Sequence, residues 1–139
     1  MATLNTYLNF NGNTEEAFNF YRSVFGGEFS NLQRFKDGPG ADKLPENDKE
    51  KIMHVSLPIG GNVLMGTDVG GGMPEVTFGT NSSICIEAAN EEEAHKLFDG
   101  LSAGGQIGMS LQKMFWGGLF GYFTDKFGVQ WMFNYTFPQ

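Results

Sequence analysis

The segment Asn13-Thr-Glu-Glu-Ala17 is echoed by Asn90-Glu-Glu-Glu-Ala94, and each copy lies between a strand-like apolar run and an apolar-faced helical run. Asparagine is a favoured helix N-cap and first-turn glutamates complement the helix dipole, so both segments predict helix starts. Glu16, three residues after Asn13, would complete a capping box. Gly26-Gly27 and Gly104-Gly105 end the two helices. The echo therefore predicts two copies of one supersecondary unit.

The runs around the first helix predict one strand before it and three strands after it. These predicted strands span residues 3–10, 29–35, 52–59 and 62–69. Gly60-Gly61 is a two-residue hairpin signal between the last two. Residues 36–51 combine glycines, prolines and charges and predict a mobile loop that could act as a lid.

The second half repeats this order after Gly70-Gly71-Gly72. The predicted elements are a strand at 83–88, a helix at 90–101, strands at 106–111, 116–124 and 129–137, and a hairpin turn at 125–128. A chain of 139 residues with 40 % hydrophobic content supports one core. We therefore predict a single α+β domain of two βαβββ modules, at about residues 1–72 and 80–139.

Composition limits the partners. The 16 acidic residues outnumber the 9 basic ones and give a net charge of -7, so neither nucleic acid nor a membrane is an expected partner. The sequence shows neither a signal-peptide pattern nor an apolar run of about 18 residues. Cys85 is the only cysteine, which excludes an intrachain disulfide and favours a cytoplasmic protein. Its neighbours Ile84 and Ile86 predict a buried structural thiol rather than a nucleophile.

Four segments of the sequence resemble PhnB-like proteins of the glyoxalase, bleomycin-resistance and dioxygenase (vicinal oxygen chelate) superfamily. The branch concerned is often labelled 3-demethylubiquinone-9 3-methyltransferase-like. The segments are Tyr7-Leu-Asn-Phe-Asn-Gly-Asn-Thr-Glu-Glu-Ala17, Phe20-Tyr-Arg-Ser-Val-Phe-Gly-Gly27, Ile52-Met-His-Val-Ser-Leu57 with Met65-Gly-Thr-Asp68, and Phe115-Trp-Gly117 with Asp125-Lys-Phe-Gly-Val-Gln-Trp131. The methyltransferase label has no support in these residues, because no Gly-x-Gly loop follows a strand with an acidic partner downstream.

This resemblance implies a curved mixed sheet around a cavity for a small organic molecule, usually completed across a homodimer. Metal enzymes of the superfamily place His or Glu on the first and last strands of each module, where they hold a divalent ion. The corresponding positions here fall near Thr6, Met65, Ser83 and Met132. None of these is a usual ligand for such ions, so we expect the usual divalent metal site to be absent.

His54 and Asp68 are the candidate catalytic residues. His54 interrupts an apolar strand that the resemblance places along the cavity, where an imidazole could act as a base or a ligand. A histidine bonded within the sheet, or facing solvent, is the alternative. Asp68 ends the neighbouring strand and could pair with His54, with a substrate, or with His54 in a shifted metal site. A carboxylate there could instead stabilise a turn.

The candidate substrate-binding residues are Glu87 and the aromatic residues Trp116, Phe120 and Tyr122. Strand alternation would direct the three aromatic side chains and Gly118 to one face, and Gly117-Gly118 and Gly121 would leave space beside the rings. Packing in the core or in a dimer is the alternative for each ring. Three functions stay open: a small-molecule enzyme centred on His54, a sequestration protein without chemistry, and a structural dimer module.

Overall fold

The computed structural model describes residues 1–70 and 72–139, and the βαβββ order occurs twice along them. The chain divides into two compact units, Met1–Thr77 and Phe78–Gln139. Each unit contains a helix of 12 residues and its own four-stranded mixed sheet. The predicted α+β class and the two modules are therefore confirmed. No helix in the described part of the chain is long and apolar enough to span a membrane.

The first unit forms the sheet β1-β4-β3-β2, in which β1 runs parallel to β4 and the other pairs are antiparallel. Its elements in chain order are β1 (Thr6–Phe10), α1 (Thr14–Phe25), β2 (Asn31–Arg34), α2 (Glu46–Lys49), β3 (Ile52–Ile59) and β4 (Asn62–Asp68). The β3–β4 hairpin is as predicted. β1 begins three residues later than predicted, and Leu4 before it is exposed.

The predicted loop at residues 36–51 contains regular structure. Two 3-10 turns, Phe35–Asp37 and Ala41–Lys43, precede α2. Within α2 Asp48 is buried and pairs with the Lys51 ammonium group at 2.8 Å. The predicted loop therefore consists largely of short turns, which satisfy backbone groups locally, and its mobility and lid role stay predictions.

The two helix starts differ. In the second unit Asn90 Oδ1 accepts a hydrogen bond from the backbone N–H of Glu93 at 2.7 Å, the expected cap. Asn13 makes no side-chain capping bond, so the predicted capping box with Glu16 was wrong. The carboxylate of Asp68, at the end of the neighbouring strand β4, accepts the N–H groups of Gly12 and Thr14 at this helix start instead.

The second unit forms the sheet β5-β8-β7-β6, with β5 parallel to β8. Its elements are β5 (Ile84–Glu87), α3 (Glu91–Ser102), β6 (Gln106–Met114), β7 (Gly118–Thr124) and β8 (Gln130–Thr136). Phe98 of α3 lies 4.9 Å from Phe123 and 5.6 Å from Phe133 between ring centroids, which defines the helix side of the sheet. β7 starts at Gly118, so Trp116 lies in a turn and not on the predicted strand.

Within its own unit, and among the residues that the structure describes, each sheet has one face against its 12-residue helix and one face without a helix, which we call its open face. In the first unit the buried side chains of Phe10, Val55 and Leu64 share the helix side with Phe18 of α1. Because side chains alternate along a strand, the intervening residues point to the open face. The open face of the first sheet carries Tyr7, His54, Ser56, Met65 and Thr67, and that of the second carries Cys85, Glu87, Phe120, Tyr122, Met132 and Asn134.

Candidate functional site

Three side chains on the open face of the first sheet form one hydrogen-bonded row, which we call the polar chain: Tyr7, His54 and Ser56. The Tyr7 hydroxyl lies 3.0 Å from His54 Nδ1, and His54 Nε2 lies 2.7 Å from Ser56 Oγ. The Tyr7 and His54 rings are 5.6 Å apart and tilted. The structure thus brings His54 into a polar cluster, in which both ring nitrogens already have partners.

Tyr7 was not among the residues selected from the sequence. It lies on β1 and pairs in register with Met65 of β4, whereas His54 lies on β3, so the Tyr7 ring reaches across β4. Partial burial raises the pKa of the Tyr7 hydroxyl above its ordinary value, and hydrogen bonding with Thr67 opposes this shift. Tyr7 is therefore a neutral phenol at physiological pH. Only the strand register could have identified it, and a single sequence does not contain that information.

Asp68 holds the framework of the first unit. Its side chain is 1 % exposed. Oδ1 accepts hydrogen bonds from the N–H groups of Gly12 and Thr14 at 3.0 Å each and from the Thr14 hydroxyl at 2.6 Å. Oδ2 accepts the N–H of Ile52 at 2.8 Å. One carboxylate therefore joins the start of α1 and the start of β3 to the end of β4.

The structure does not bring Asp68 together with His54. Asp68 faces α1, whereas His54 is hydrogen-bonded to Tyr7 and Ser56 on the opposite face. A metal site shared by His54 and Asp68 would need the two side chains on one face, so the geometry does not support it. A catalytic role for either residue stays a prediction.

The residues that the resemblance assigns to the metal-ligand positions do not fit a divalent ion, and Thr6 pairs in register with Leu64 on the helix side, not with Met65 on the open face. Thr6, Met65, Ser83 and Met132 supply two hydroxyls and two thioethers, which are poor partners for hard or borderline dications. Across residues 1–70 and 72–139 no group of three or more His, Cys, Asp and Glu side chains could hold a metal ion.

The open face of the second sheet combines a polar pair with aromatic rings. Asn134 Nδ2 donates to both carboxylate oxygens of Glu87, at 2.9 and 2.8 Å. Phe120 is the register partner of Asn134, so Glu87, Asn134 and Phe120 form one row across three strands. Tyr122 lies 6.3 Å from Phe120 between ring centroids. The structure thus gathers three of the four predicted substrate-binding residues on one face.

Trp116 also covers part of this face, although it lies in the β6–β7 turn. A side chain added at Gly118 would meet the Trp116 ring, and such a side chain would point the same way as those of Phe120 and Tyr122. Trp116 is 41 % exposed and Tyr122 is 43 % exposed. We call Glu87, Trp116, Phe120, Tyr122 and Asn134 the aromatic face.

Cys85 is exposed on the open face of the second sheet, so its predicted burial was wrong. Ile84 and Ile86 point to the helix side, and alternation places the residue between them on the other face. Partial burial of the sulfur, followed by repulsion from the Glu87 carboxylate, raises the pKa of the Cys85 thiol. Cys85 is thus a protonated thiol at neutral pH, which argues against nucleophilic catalysis.

We expect Cys85 to react slowly with iodoacetamide. Because its pKa is raised, the pH at which alkylation reaches half its maximal rate should lie above that of glutathione measured in the same buffers. Glu87→Gln should move this midpoint down, since it removes the repelling charge. A midpoint at or below that of glutathione would mean that the protein stabilises the thiolate.

Comparison with known proteins places these features in a family. The family model described as 3-demethylubiquinone-9 3-methyltransferase matches residues 2–133. Protein YjdN of Escherichia coli (strain K12) is 32 % identical in an alignment 140 positions long, which covers 94 % of this chain and 93 % of that protein.

Solved structures agree with this match. Protein PA1353 from Pseudomonas aeruginosa superposes with a TM-score of 0.86 at 38 % identity, covering 98 % of each chain. A PhnB protein from Bacillus cereus gives 0.73 at 29 % identity, covering 97 % of this chain and 100 % of that one. A glyoxalase-related enzyme from Fulvimarina pelagi, at 18 % identity and a TM-score of 0.66 over 98 % of this chain and 89 % of that one, shares the fold. The chain therefore belongs to the 3-demethylubiquinone-9 3-methyltransferase family and is PhnB-like.

Proposed function

We propose that this protein binds a small organic molecule on the open face of its second sheet, without the metal-ligand set of the glyoxalase-type enzymes. The observation that carries the proposal is the aromatic face. Two large rings, Trp116 and Tyr122, stay exposed beside a carboxylate that is held in place by Asn134. Exposed apolar groups next to oriented polar groups are typical of ligand-binding surfaces.

The arrangement suits a planar ligand. Phe120 and Tyr122 offer ring faces and edges for stacking, while Glu87 keeps acceptor capacity beyond its two bonds to Asn134. A carboxylate on a rigid strand orients a ligand better than one on a loop, because its position is set by the sheet. Membership of the PhnB-like family supports a binding role and leaves the ligand to be identified.

Catalysis is the second candidate function, and the polar chain favours it. Imidazole is the side chain best suited to move a proton near neutral pH. Both nitrogens of His54 are bonded to hydroxyl groups, so a reacting proton would pass through Tyr7 or Ser56. The third candidate function is structural: the rings of the aromatic face would be packed in a homodimer interface. The Trp116→Ala experiment separates this role from ligand binding.

A thermal-shift screen with aromatic and oxygen-bearing compounds tests the binding role. A ligand present at 100 times its Kd stabilises the folded state by about 2.7 kcal/mol, which is a readily measured shift. We expect Trp116→Ala to lose the shift and Phe115→Ala to keep it, because the neighbouring Phe115 is 98 % exposed and lies outside the aromatic face. Unfolding of Trp116→Ala, or its conversion from dimer to monomer, would favour the packing role instead.

A parallel titration with nickel, zinc, manganese and iron(II) tests the metal-free site. We expect no saturable shift that depends on His54, since the positions of the usual ligands do not fit these ions. His95→Ala is the matched control, because His95 is the other histidine and lies exposed on α3. If an ion binds stoichiometrically to wild type and to His95→Ala but not to His54→Ala, the protein has a metal site at His54 and a metal-dependent enzyme becomes the better hypothesis.

A further inference from the structure

The polar chain runs from a buried end to an exposed end. Ser56 is 7 % exposed, whereas Tyr7 is 43 % exposed, and His54 joins them through both ring nitrogens. A neutral imidazole carries one N–H, so one nitrogen donates a hydrogen bond and the other accepts one. The hydrogen bonds of the polar chain can therefore all point from Ser56 toward Tyr7 or all point from Tyr7 toward Ser56. The hydroxyl proton that has no acceptor within the polar chain belongs to Tyr7 in the first case and to Ser56 in the second.

Burial favours one direction. If Nε2 carried the proton, Ser56 Oγ would accept it, and the Ser56 hydroxyl proton would have no acceptor within the described residues. A buried donor without a partner is costly, whereas an exposed one can reach water or a ligand. We therefore assign the proton to Nδ1, with Ser56 donating to Nε2 and Nδ1–H donating to the Tyr7 oxygen.

This direction leaves the Tyr7 hydroxyl with a proton to donate. Thr67 is the neighbouring side chain that could accept it, since its own hydroxyl donates to the Met53 carbonyl oxygen at 2.8 Å and keeps its lone pairs. Because Tyr7 is 43 % exposed, water or a ligand can compete with Thr67 for this proton. Burial raises the pKa of Tyr7. The phenol therefore keeps its proton at neutral pH and presents it at the exposed end of the polar chain.

We infer that the open face of the first sheet also binds a small molecule, that the Tyr7 hydroxyl donates a hydrogen bond to a carbonyl oxygen of this molecule, and that His54 and Ser56 are positioning residues for that proton. This inference goes beyond the proposed binding at the aromatic face, which lies in the second unit. Among the residues that the structure describes, no lysine or arginine is hydrogen-bonded to Tyr7, His54 or Ser56. The site therefore fits a neutral ketone, ester or amide oxygen better than a carboxylate, which would need a cation.

The tautomer is measured first, on the free protein. Nitrogen-15 spectra of the imidazole rings contain the signals of two histidines, since the sequence has only His54 and His95. The exposed His95 provides the internal reference for the nitrogen shifts of His54. We expect His54 to carry its proton on Nδ1. In Ser56→Ala the donor to Nε2 is gone, so the proton should move to Nε2 and Tyr7 should donate to Nδ1. A wild-type protein with the proton on Nε2 would overturn the assignment.

The ligand class is tested with acetophenone, benzoate and ethylbenzene as probes, observed by chemical-shift changes. Acetophenone should bind more tightly than the other two. Tyr7→Phe should weaken acetophenone about tenfold, as loss of one hydrogen bond predicts, and leave ethylbenzene unchanged. Tyr135→Phe, a matched change in the second unit, and Thr67→Val should keep acetophenone binding.

Two outcomes count against the inference in different ways. An equal loss of acetophenone and ethylbenzene in Tyr7→Phe would reduce Tyr7 to an apolar contact, with the binding function intact. If no probe binds wild type, the inferred ligand class is wrong, whereas the thermal-shift screen still tests the aromatic face and the tautomer spectra still decide which nitrogen of His54 carries the proton.

Discussion

Replacing Asp68 by asparagine is expected to lower the free energy of unfolding by about 3 kcal/mol, because one of the donors that its carboxylate satisfies would meet an amide N–H. The asparagine oxygen can still accept from Gly12 and Thr14. Its nitrogen would then face the N–H of Ile52, which now donates to Oδ2 at 2.8 Å. Two buried donors pointing at each other leave both unsatisfied.

Denaturant and thermal unfolding measure this loss, with Asp42→Asn as the control. Asp42 is exposed in the same unit, so its replacement removes the same charge without removing buried hydrogen bonds. A loss of about 3 kcal/mol corresponds to a Tm lower by about 10 °C for a chain of this size. Hydrogen exchange should accelerate most at the amide of Ile52. Equal stability of the two variants would show that the carboxylate is dispensable and would return Asp68 to the candidates for chemistry.

Elements whose signals lie within a few neighbouring residues were predictable from the sequence. The β3–β4 hairpin, predicted at 52–59 and 62–69, occurs at Ile52–Ile59 and Asn62–Asp68 because Gly60 supplies the positive φ of 57° that the turn requires. The start of β7 was missed by two residues for a related reason. Gly117 has a φ of 95°, so the chain is still turning there and Trp116 belongs to the turn.

Features that depend on distant partners were not predictable. Asn13 and Asn90 occupy equivalent places in the repeat, yet only Asn90 caps its helix, because Asp68 already holds the other helix start from 54 residues away. Nothing local to Asn13 reports that carboxylate. The contact of Tyr7 with His54 is a second example. Their strands, β1 and β3, lie on the two sides of β4, and only the strand order of the folded sheet shows this.

Residues of the candidate site also differ in how well the sequence predicted them. Alternation correctly placed Phe120 and Tyr122 on one face, since period two is a property of any strand. Cys85 was mispredicted although the same rule applies to it. Its apolar neighbours were taken as a sign of burial, whereas in a strand with one open face they indicate that the residue between them points outward.

Asp125→Asn should be nearly as destabilising as Asp68→Asn, at about 2 to 3 kcal/mol, and should change the environment of a tryptophan. Asp125 is buried at the β7–β8 turn. Oδ1 accepts from the N–H groups of Phe127 and Val129, and Oδ2 accepts from Trp131 Nε1 at 2.8 Å. In either orientation an asparagine places its NH₂ group against one of these donors. We expect altered Trp131 emission and earlier unfolding, with Asp99→Asn, exposed on α3, as the control.

A double-mutant cycle with Trp131→Phe isolates the cause. Phenylalanine keeps a buried ring but has no N–H, so the asparagine amide would no longer oppose the indole donor. The cost of Asp125→Asn should therefore be smaller in the Trp131→Phe background, by about 1 to 2 kcal/mol of coupling. Additive effects of the two changes would place the cost in the turn amides of Phe127 and Val129 instead. In that case the carboxylate would stabilise the hairpin through its backbone alone, and Trp131 would contribute by packing.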